Sequence, residues 1–542
     1  MRPSTACCAF LPALLLAQSV IAATPDQWRS RSIYQLLTDR FAPSDNSSPT
    51  CDTTTRKYCG GTYKGITNHL DYIQNMGFDA VWISPIVENV DNETAYGEAY
   101  HGYWTQDINK LNTHFGSQDD LNELSSALHS RGMYLMVDIV VNHFVSVPPN
   151  DSDNIQALDY GLIKPFSSES DYHPYCEITD YENQTAVEQC WLGDKKLPLA
   201  DLDTENLDIV KTMNDWIKGL VKSYNVDGLR IDTVKHVRRH FWPAFAESAG
   251  VFTIGEVLSD NTTYTAAYTE VIDSVLDYPT YFPLTEAFKS PEGNLSAVVE
   301  TTGRIQKTFK NGAFLTGSFL ENHDQPRFQS VTQDQALVRN AITWLFVKDG
   351  IPILYYGQEQ GYTGASDPNN REALWPTAFD TKNPLVGHVK SLNAARKTAM
   401  LANSNYTSTP MSFIPQLDKA TLVISKPPLV GLLTNVGNSS KAKTTWTIPS
   451  SNALFKGGES VVNILNCETT TADADGGLSV QVDAGMPQVL LPVSALGKNG
   501  TLCGTGKSGS GGSSTGMQTR ISWSVIGGLL VLGLVKALAG FT

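Results

Sequence analysis

Short apolar runs recurring between helix-like stretches constrain this chain more than any other feature. They fall at 33–37, 80–84, 134–141, 228–231, 252–255, 274–276, 314–320 and 352–356. Between several of them lie amphipathic segments such as Leu121-Asn122-Glu123-Leu124-Ser125-Ser126-Ala127-Leu128, apolar at helical spacing. Strands alternating with helices call for a parallel sheet, and eight such units suggest a closed (β/α)8 barrel. An open doubly wound sheet would show the same alternation. In a barrel the loops after the strands build the site, so the chemistry is sought at strand C-termini.

Two stretches break the rhythm. About sixty residues separate the end of the third run from the helix before the fourth, too many for a structureless loop. This stretch is rich in Pro, Asp, Ser and Tyr, and we read 143–201 as an inserted domain between barrel segments 23–142 and 202–404. Beyond it, at 405–503, β-type runs separated by Gly, Asn, Asp and Ser turns read as an antiparallel β-domain.

Both ends resemble processing signals. Met1-Arg2, an apolar run and Val20-Ile21-Ala22 fit a secretory signal peptide over 1–22. A Gly/Ser-rich linker over 504–520 and an apolar tail over 521–542 fit a glycolipid (GPI) anchor signal, with the attachment residue between Ser508 and Ser513. A single C-terminal membrane span is the competing reading, made less comfortable by Lys536. The expectation is a secreted protein held at the cell surface or wall by a lipid anchor.

The cysteines agree with that compartment. Six lie beyond the leader, Cys51, Cys59, Cys176, Cys190, Cys467 and Cys503. An even count in a secreted chain suggests disulfides, and spacing alone leaves the connectivity open. Nine Asn-x-Ser/Thr sequons, at Asn46, Asn92, Asn150, Asn183, Asn261, Asn294, Asn405, Asn438 and Asn499, are compatible with secretory glycosylation. A net charge of −15 with no basic stripe argues against a nucleic-acid partner. Composition says nothing about oligomeric state.

The strand ends concentrate ionisable groups. The fourth run opens Gly228-Leu229-Arg230-Ile231-Asp232 and continues to Lys235-His236. Strand side chains alternate faces, so Arg230 and Asp232 point the same way. The third run ends Asp138-Ile139-Val140-Val141-Asn142-His143, the fifth Gly255-Glu256-Val257, and the seventh Glu321-Asn322-His323-Asp324. His101-Gly102-Tyr103-Trp104 follows the second, and Asp367-Pro368-Asn369-Asn370-Arg371 follows the eighth. Asp232, Glu256 and Asp324 would converge on one mouth. Glycoside cleavage needs one carboxylate as nucleophile and one carboxylic acid for the leaving oxygen, and crowding suits Glu256 as the acid. His143 and His323 would offer donors to sugar hydroxyls, and Tyr103 a face to stack on.

These four ordered segments, 138–143, 228–236, 255–257 and 319–324, resemble the short conserved regions of glycoside hydrolase family 13, the α-amylase family. The similarity runs from Thr24 to Cys503 and is nearest the secreted fungal members of the Taka-amylase type. The resemblance implies Asp232 as nucleophile, Glu256 as general acid/base and Asp324 as the transition-state stabiliser, with Arg230 as partner of the nucleophile. It implies Tyr103, His143, His323, Asp367 and Arg371 around the donor sugar, and Lys235 and His236 on the acceptor side, and His101 and Trp104 beside Tyr103 are expected among the substrate-binding residues. It also implies a calcium ion held by Asn142, Glu188, Asp201 and the backbone carbonyl of His236, clamping the inserted domain to the barrel. Pairings 51–59, 176–190 and 467–503 look like those of the fungal enzymes.

The implied activity is retaining endo-cleavage of α-1,4-glucosidic bonds in an α-glucan or malto-oligosaccharide. Asp260 stands where the secreted fungal enzymes carry Gly, and the anchor tail resembles an anchored fungal subgroup implied in remodelling cell-wall α-glucan. A 4-α-glucanotransferase is therefore the alternative, and a non-catalytic glucan-binding wall protein the third reading.

Overall fold

The computed structural model describes residues 23–148, 154–414, 419–438, 444–452, 454–482, 484–497 and 502–504. The leader, the linker and tail beyond Gly504, and the sequons Asn150 and Asn499 lie outside the described residues.

Eight parallel strands form one sheet: β1 (Ile33–Gln35), β2 (Ala80–Ile83), β3 (Tyr134–Ile139), β4 (Gly228–Ile231), β5 (Phe252–Gly255), β6 (Ser274–Val275), β7 (Gly317–Ser318) and β8 (Ile351–Tyr355). Their order is β6-β5-β4-β3-β2-β1-β8-β7, so every strand lies beside its sequence neighbour and β1 pairs β8. A parallel bridge between Leu276 and Gly317 closes the ring. The doubly wound alternative is thereby excluded. The seventh run is shorter than the expected 314–320, because β7 pairs β8 only at Gly317 and Ser318. The barrel there is too narrow for more than Gly317, where a Cβ would come within 2.6 Å of Ile254 and 2.7 Å of Ile353.

Apart from half-buried Tyr134 at the start of β3, the barrel strands are buried, as a sheet covered on both faces requires. Outside them pack amphipathic helices such as Leu207–Tyr224, whose Ile209, Met213, Ile217 and Leu220 face inward at helical spacing. Asn206 caps that helix and left-handed Asn225 ends it.

After β3 the chain leaves the barrel. Strands His143–Val145, Leu192–Gly193 and Pro198–Asp201 form a small antiparallel sheet, and Cys176–Cys190 staples the intervening segment. Cys51–Cys59 and Cys467–Cys503 are the other two disulfides. After the last barrel helix (Pro384–Ala402) comes a six-stranded antiparallel sheet, accompanied by the pair Thr444–Ile448 and Leu478–Val482. Strands Ser412–Ile414, Thr469–Thr471 and Leu478–Val482 do not stand out as apolar runs in the sequence, being short or strictly alternating. Lys348 and Asp277 form a buried ion pair within the barrel, and a second buried pair, Lys426–Asp349, joins the C-terminal sheet to the barrel.

Candidate active site

β4 carries Arg230 into the barrel mouth, where it is 1% exposed. Its Nη1 donates to Asp138 Oδ1 (2.9 Å) and Oδ2 (3.1 Å) and to Asp232 Oδ1 (2.8 Å), while Nη2 donates to Glu256 Oε2 (2.7 Å). Asp138 and Arg230 are register partners on β3 and β4, and Glu256 follows β5. One planar guanidinium therefore spaces two carboxylates from different strands on its adjacent terminal nitrogens. Directly after Asp232, Thr233 takes φ 49° and ψ 37°, a left-handed conformation that β-branched residues avoid. That backbone strain turns the Thr233 amide onto Glu256 Oε2 (3.2 Å). Tyr278 Oη donates to Glu256 Oε1 (3.4 Å) and is itself held by Asn322 Nδ2 (3.0 Å).

The opposite wall comes from the loops after β2, β7 and β8. Tyr103 donates to Asp138 Oδ2 (2.7 Å) and stacks on His323 with centroids 5.0 Å apart and planes 7° from parallel. His323 Nε2 lies 3.1 Å from Asp324 Oδ2, and Gln35 Nε2 lies 3.0 Å from His323 Nδ1. Arg371 bridges Asp324 (3.4 Å) and Asp367 (3.1 Å), and Arg56 holds Asp367 from the other side (2.7 Å). His143 Nε2 lies 3.2 Å from the Tyr103 carbonyl. His101 accepts from the Tyr103 amide (3.0 Å) and meets Trp104 edge-on (4.5 Å), so these two brace the loop. Neither hydrogen-bonds to the three carboxyl groups among the described residues.

Burial, opposed by Arg230 and reinforced by the charges of Glu256, Asp138 and Asp324, pushes the Asp232 carboxyl well above the usual range. Burial raises Asp138 to about 6 against the pull of Arg230. Asp324 is raised in the same direction, by enclosure first and against Arg371. Enclosed around one guanidinium, Asp232 and Asp138 are coupled sites whose proton affinities belong to the group rather than to either residue alone. Burial lowers His143 and His236 to about 4 and holds His323 well below its ordinary value, so these rings are neutral hydrogen-bonding groups near pH 7.

Residues 35–408 match the family described as Alpha amylase, catalytic domain, and residues 416–510 match Alpha-amylase, domain C. The chain belongs to the α-amylase family. Alpha-amylase 1 of Lipomyces kononenkoae is 47% identical over 488 residues, 90% of this chain and 77% of that protein. Alpha-amylase 2 of Schwanniomyces occidentalis is 42% identical over 494 residues, covering 90% and 95%. The solved α-amylase of Malbranchea cinnamomea superposes with a TM-score of 0.85 at 45% identity, covering 89% of this chain and all of that one. By membership the chain is a glycoside hydrolase with the family's barrel and C-terminal β-domain.

Asn142 Oδ1 lies 3.0 Å from both the His236 carbonyl and Asp201 Oδ1, three oxygens facing one another with no donor between them. Turning the Asn142 amide over would relieve this by letting its nitrogen donate to both; a hard cation relieves it with the oxygen in place. The donor set therefore fits calcium. Glu188 is less directly placed: its carboxylate accepts from Gln184 Nε2 (2.7 Å), an amide that also donates to the Lys235 carbonyl (3.2 Å). It sits on the short helix Gln184–Gln189, whose Val187 carbonyl lies 3.1 Å from His236 Nδ1. The other oxygen of Asp201 lies 2.6 Å from His173, which also faces Glu205 (2.7 Å) and Asp203 (3.5 Å). Burial lowers the His173 pKa, but these carboxylates outweigh it and raise the ring above its ordinary value. His173 was not foreseen, and neither were Asp138, Tyr278, Gln35 or Arg56. For Asp138 a signal existed, a lone carboxylate inside the apolar third run; the others are polar residues in unremarkable contexts.

Proposed function

We propose that this protein is a retaining α-glucan-cleaving enzyme acting endo on α-1,4-glucosidic bonds. The observation that carries the reading is the fork of Arg230, which presents Asp232 and Glu256 side by side at the mouth of an α-amylase barrel. Glu256 gives its proton to the glycosidic oxygen as Asp232 attacks the anomeric carbon, the C–O bond breaks, and a glycosyl ester forms on Asp232. Glu256, now a carboxylate, takes a proton from water as its oxygen attacks the same carbon and releases Asp232. Asp324, with His323, His143 and Arg371, binds the donor sugar's hydroxyls, and Tyr103 stacks beneath it. Lys235 and His236 serve the acceptor side. Lys235 Nζ donates to the Leu258 carbonyl (2.9 Å), which holds it beside that space.

Asn142, Asp201, the His236 carbonyl and Glu188 would hold calcium, which supplies rigidity between inserted domain and barrel rather than chemistry. Asn142 adjoins His143, and His236 lies four residues past Asp232, so both walls of the site rest on those ligands. The sequence pattern of the ends supports secretion and anchoring through a glycolipid at the cell surface. Release of the protein from intact cells by a phosphatidylinositol-specific phospholipase tests this, and retention in the membrane would overturn it.

A 4-α-glucanotransferase acting on wall α-glucan is the second reading, favoured by Asp260 lining a large cavity on the acceptor side. Incubation with maltopentaose decides between them. Hydrolysis raises reducing ends in step with product formation; products longer than the substrate with little gain in reducing ends would overturn it in favour of transfer. Binding without turnover would leave the wall-protein reading.

A further inference from the structure

Beside the catalytic groups, a cavity of about 700 Å³ opens between the inserted domain and the loop after β5. Tyr181, Lys235, Asp260, Tyr264 and Tyr268 are among its lining residues. Its two flanks are helix N-termini tied together across the gap. Tyr264 Oη, on the helix Thr262–Ala266, donates to Gln184 Oε1 (2.8 Å) on the helix Gln184–Gln189.

Each of these helices is capped by the asparagine of a sequon. Asn183 stands between the lining residues Glu182 and Gln184, and Asn261 is itself in the lining. Both are exposed, as are the sequon threonines Thr185 and Thr263. Both cap through the side-chain oxygen: Asn183 Oδ1 accepts from Ala186 N (3.4 Å), and Asn261 Oδ1 from Thr263 N (3.0 Å) and Tyr264 N (3.1 Å). The amide nitrogens, the atoms to which an N-linked glycan is joined, make no hydrogen bond among the described residues. Capping and glycan attachment are therefore compatible at both positions. No other sequon asparagine is among the lining residues.

We propose that Asn183 and Asn261 both carry N-linked glycans, and that these glycans form opposed walls at the acceptor end of the cleft. Short malto-oligosaccharides bind without reaching them. A long α-glucan strand must pass between two hydrated, mobile chains, losing conformational freedom as it does so. The steric half of this proposal rests on the acceptor-side reading above; the modification half does not.

The full chain secreted from a glycosylating yeast tests both halves. Peptide mass spectrometry after enzymatic release of glycans in heavy-oxygen water is expected to show labelled aspartate at 183 and at 261. Endoglycosidase trimming of the native enzyme is expected to leave kcat/KM on maltopentaose within about two-fold and to raise it on amylose by about three-fold or more, since only the bulky substrate meets the walls. The double variant T185A/T263A is expected to reproduce the trimmed enzyme's ratio between the two substrates. An unmodified asparagine at either position, or an unchanged ratio after trimming, overturns the proposal. Absence of turnover on both substrates overturns the α-glucan reading and the steric half with it, and the mass spectra alone then decide the glycan sites.

Discussion

Replacing Arg230 by lysine keeps a positive charge in the mouth of the barrel but removes the fork. The arginine makes four hydrogen bonds to three carboxyl groups, two to Asp138 and one each to Asp232 and Glu256. A lysine ammonium on a flexible stem cannot bridge Asp232 and Glu256 from two fixed nitrogens while retaining Asp138. If two charge-assisted bonds of about 1.5–3 kcal/mol each are lost, the positioning deficit is about 3–6 kcal/mol. Expressed in the transition state, that lowers kcat by about two to four powers of ten. A second effect separates positioning from simple damage. Arg230 is the main influence holding the Asp232 carboxyl down against burial. With weaker support its pKa rises further, and because the proposed mechanism uses the ionised form, the acid limb of kcat/KM is expected to move to higher pH. A blocked nitrophenyl malto-oligosaccharide assayed across the acidic range reads both quantities, with circular dichroism confirming the fold. A variant within about three-fold of the parent and with an unmoved acid limb would refute the argument that the fork organises catalysis.

Asp232→Asn is expected to fall by at least about four powers of ten in turnover while melting near the parent temperature, and near-normal rates would refute its role as nucleophile. Asp201→Ala removes one oxygen of the converging set, so calcium should stabilise the parent by about 2.7 kcal/mol at a hundredfold excess over its dissociation constant and the variant by much less. Thermal unfolding with calcium against chelator measures this, and equal shifts would remove Asp201 from the ligand set. Glu321 is 1% exposed, and burial raises it to about 7 despite Arg327. A carboxyl whose folded-state pKa is raised contributes stability that is full below its unfolded value and is lost as pH rises through the folded one. The parent should therefore lose up to about 3 kcal/mol relative to Glu321→Gln between about pH 4.5 and 7. Urea unfolding at the two ends of that window tests it, and parallel behaviour of the two proteins would count against the shift.

Seven of the eight barrel strands were legible to within a residue or two because each is an apolar run buried on both faces. The seventh was misjudged in length because its apolar flanks continue past the two residues that pair. The edge strands of the C-terminal domain escaped notice for the opposite reason: Thr469–Thr471 has no fully buried residue.

Within the site, alternation along a strand was enough to place Arg230 and Asp232 on one face, and the motif order alone carries the expectation for Glu256, Asp324 and their partners. Those are local properties, written by period and spacing. Only the closed barrel decided that Asp138 would share Arg230 with both Asp232 and Glu256, because that depends on the register of β3 against β4 and of β4 against β5. It alone decided that Tyr278 reaches Glu256, that Asp201 turns one oxygen to Asn142 and the other to His173, and that two sequons flank one cavity. Burial and charge–charge coupling act across tens to hundreds of residues of chain, so the proton affinity of the site belongs to the fold and not to any segment of the sequence.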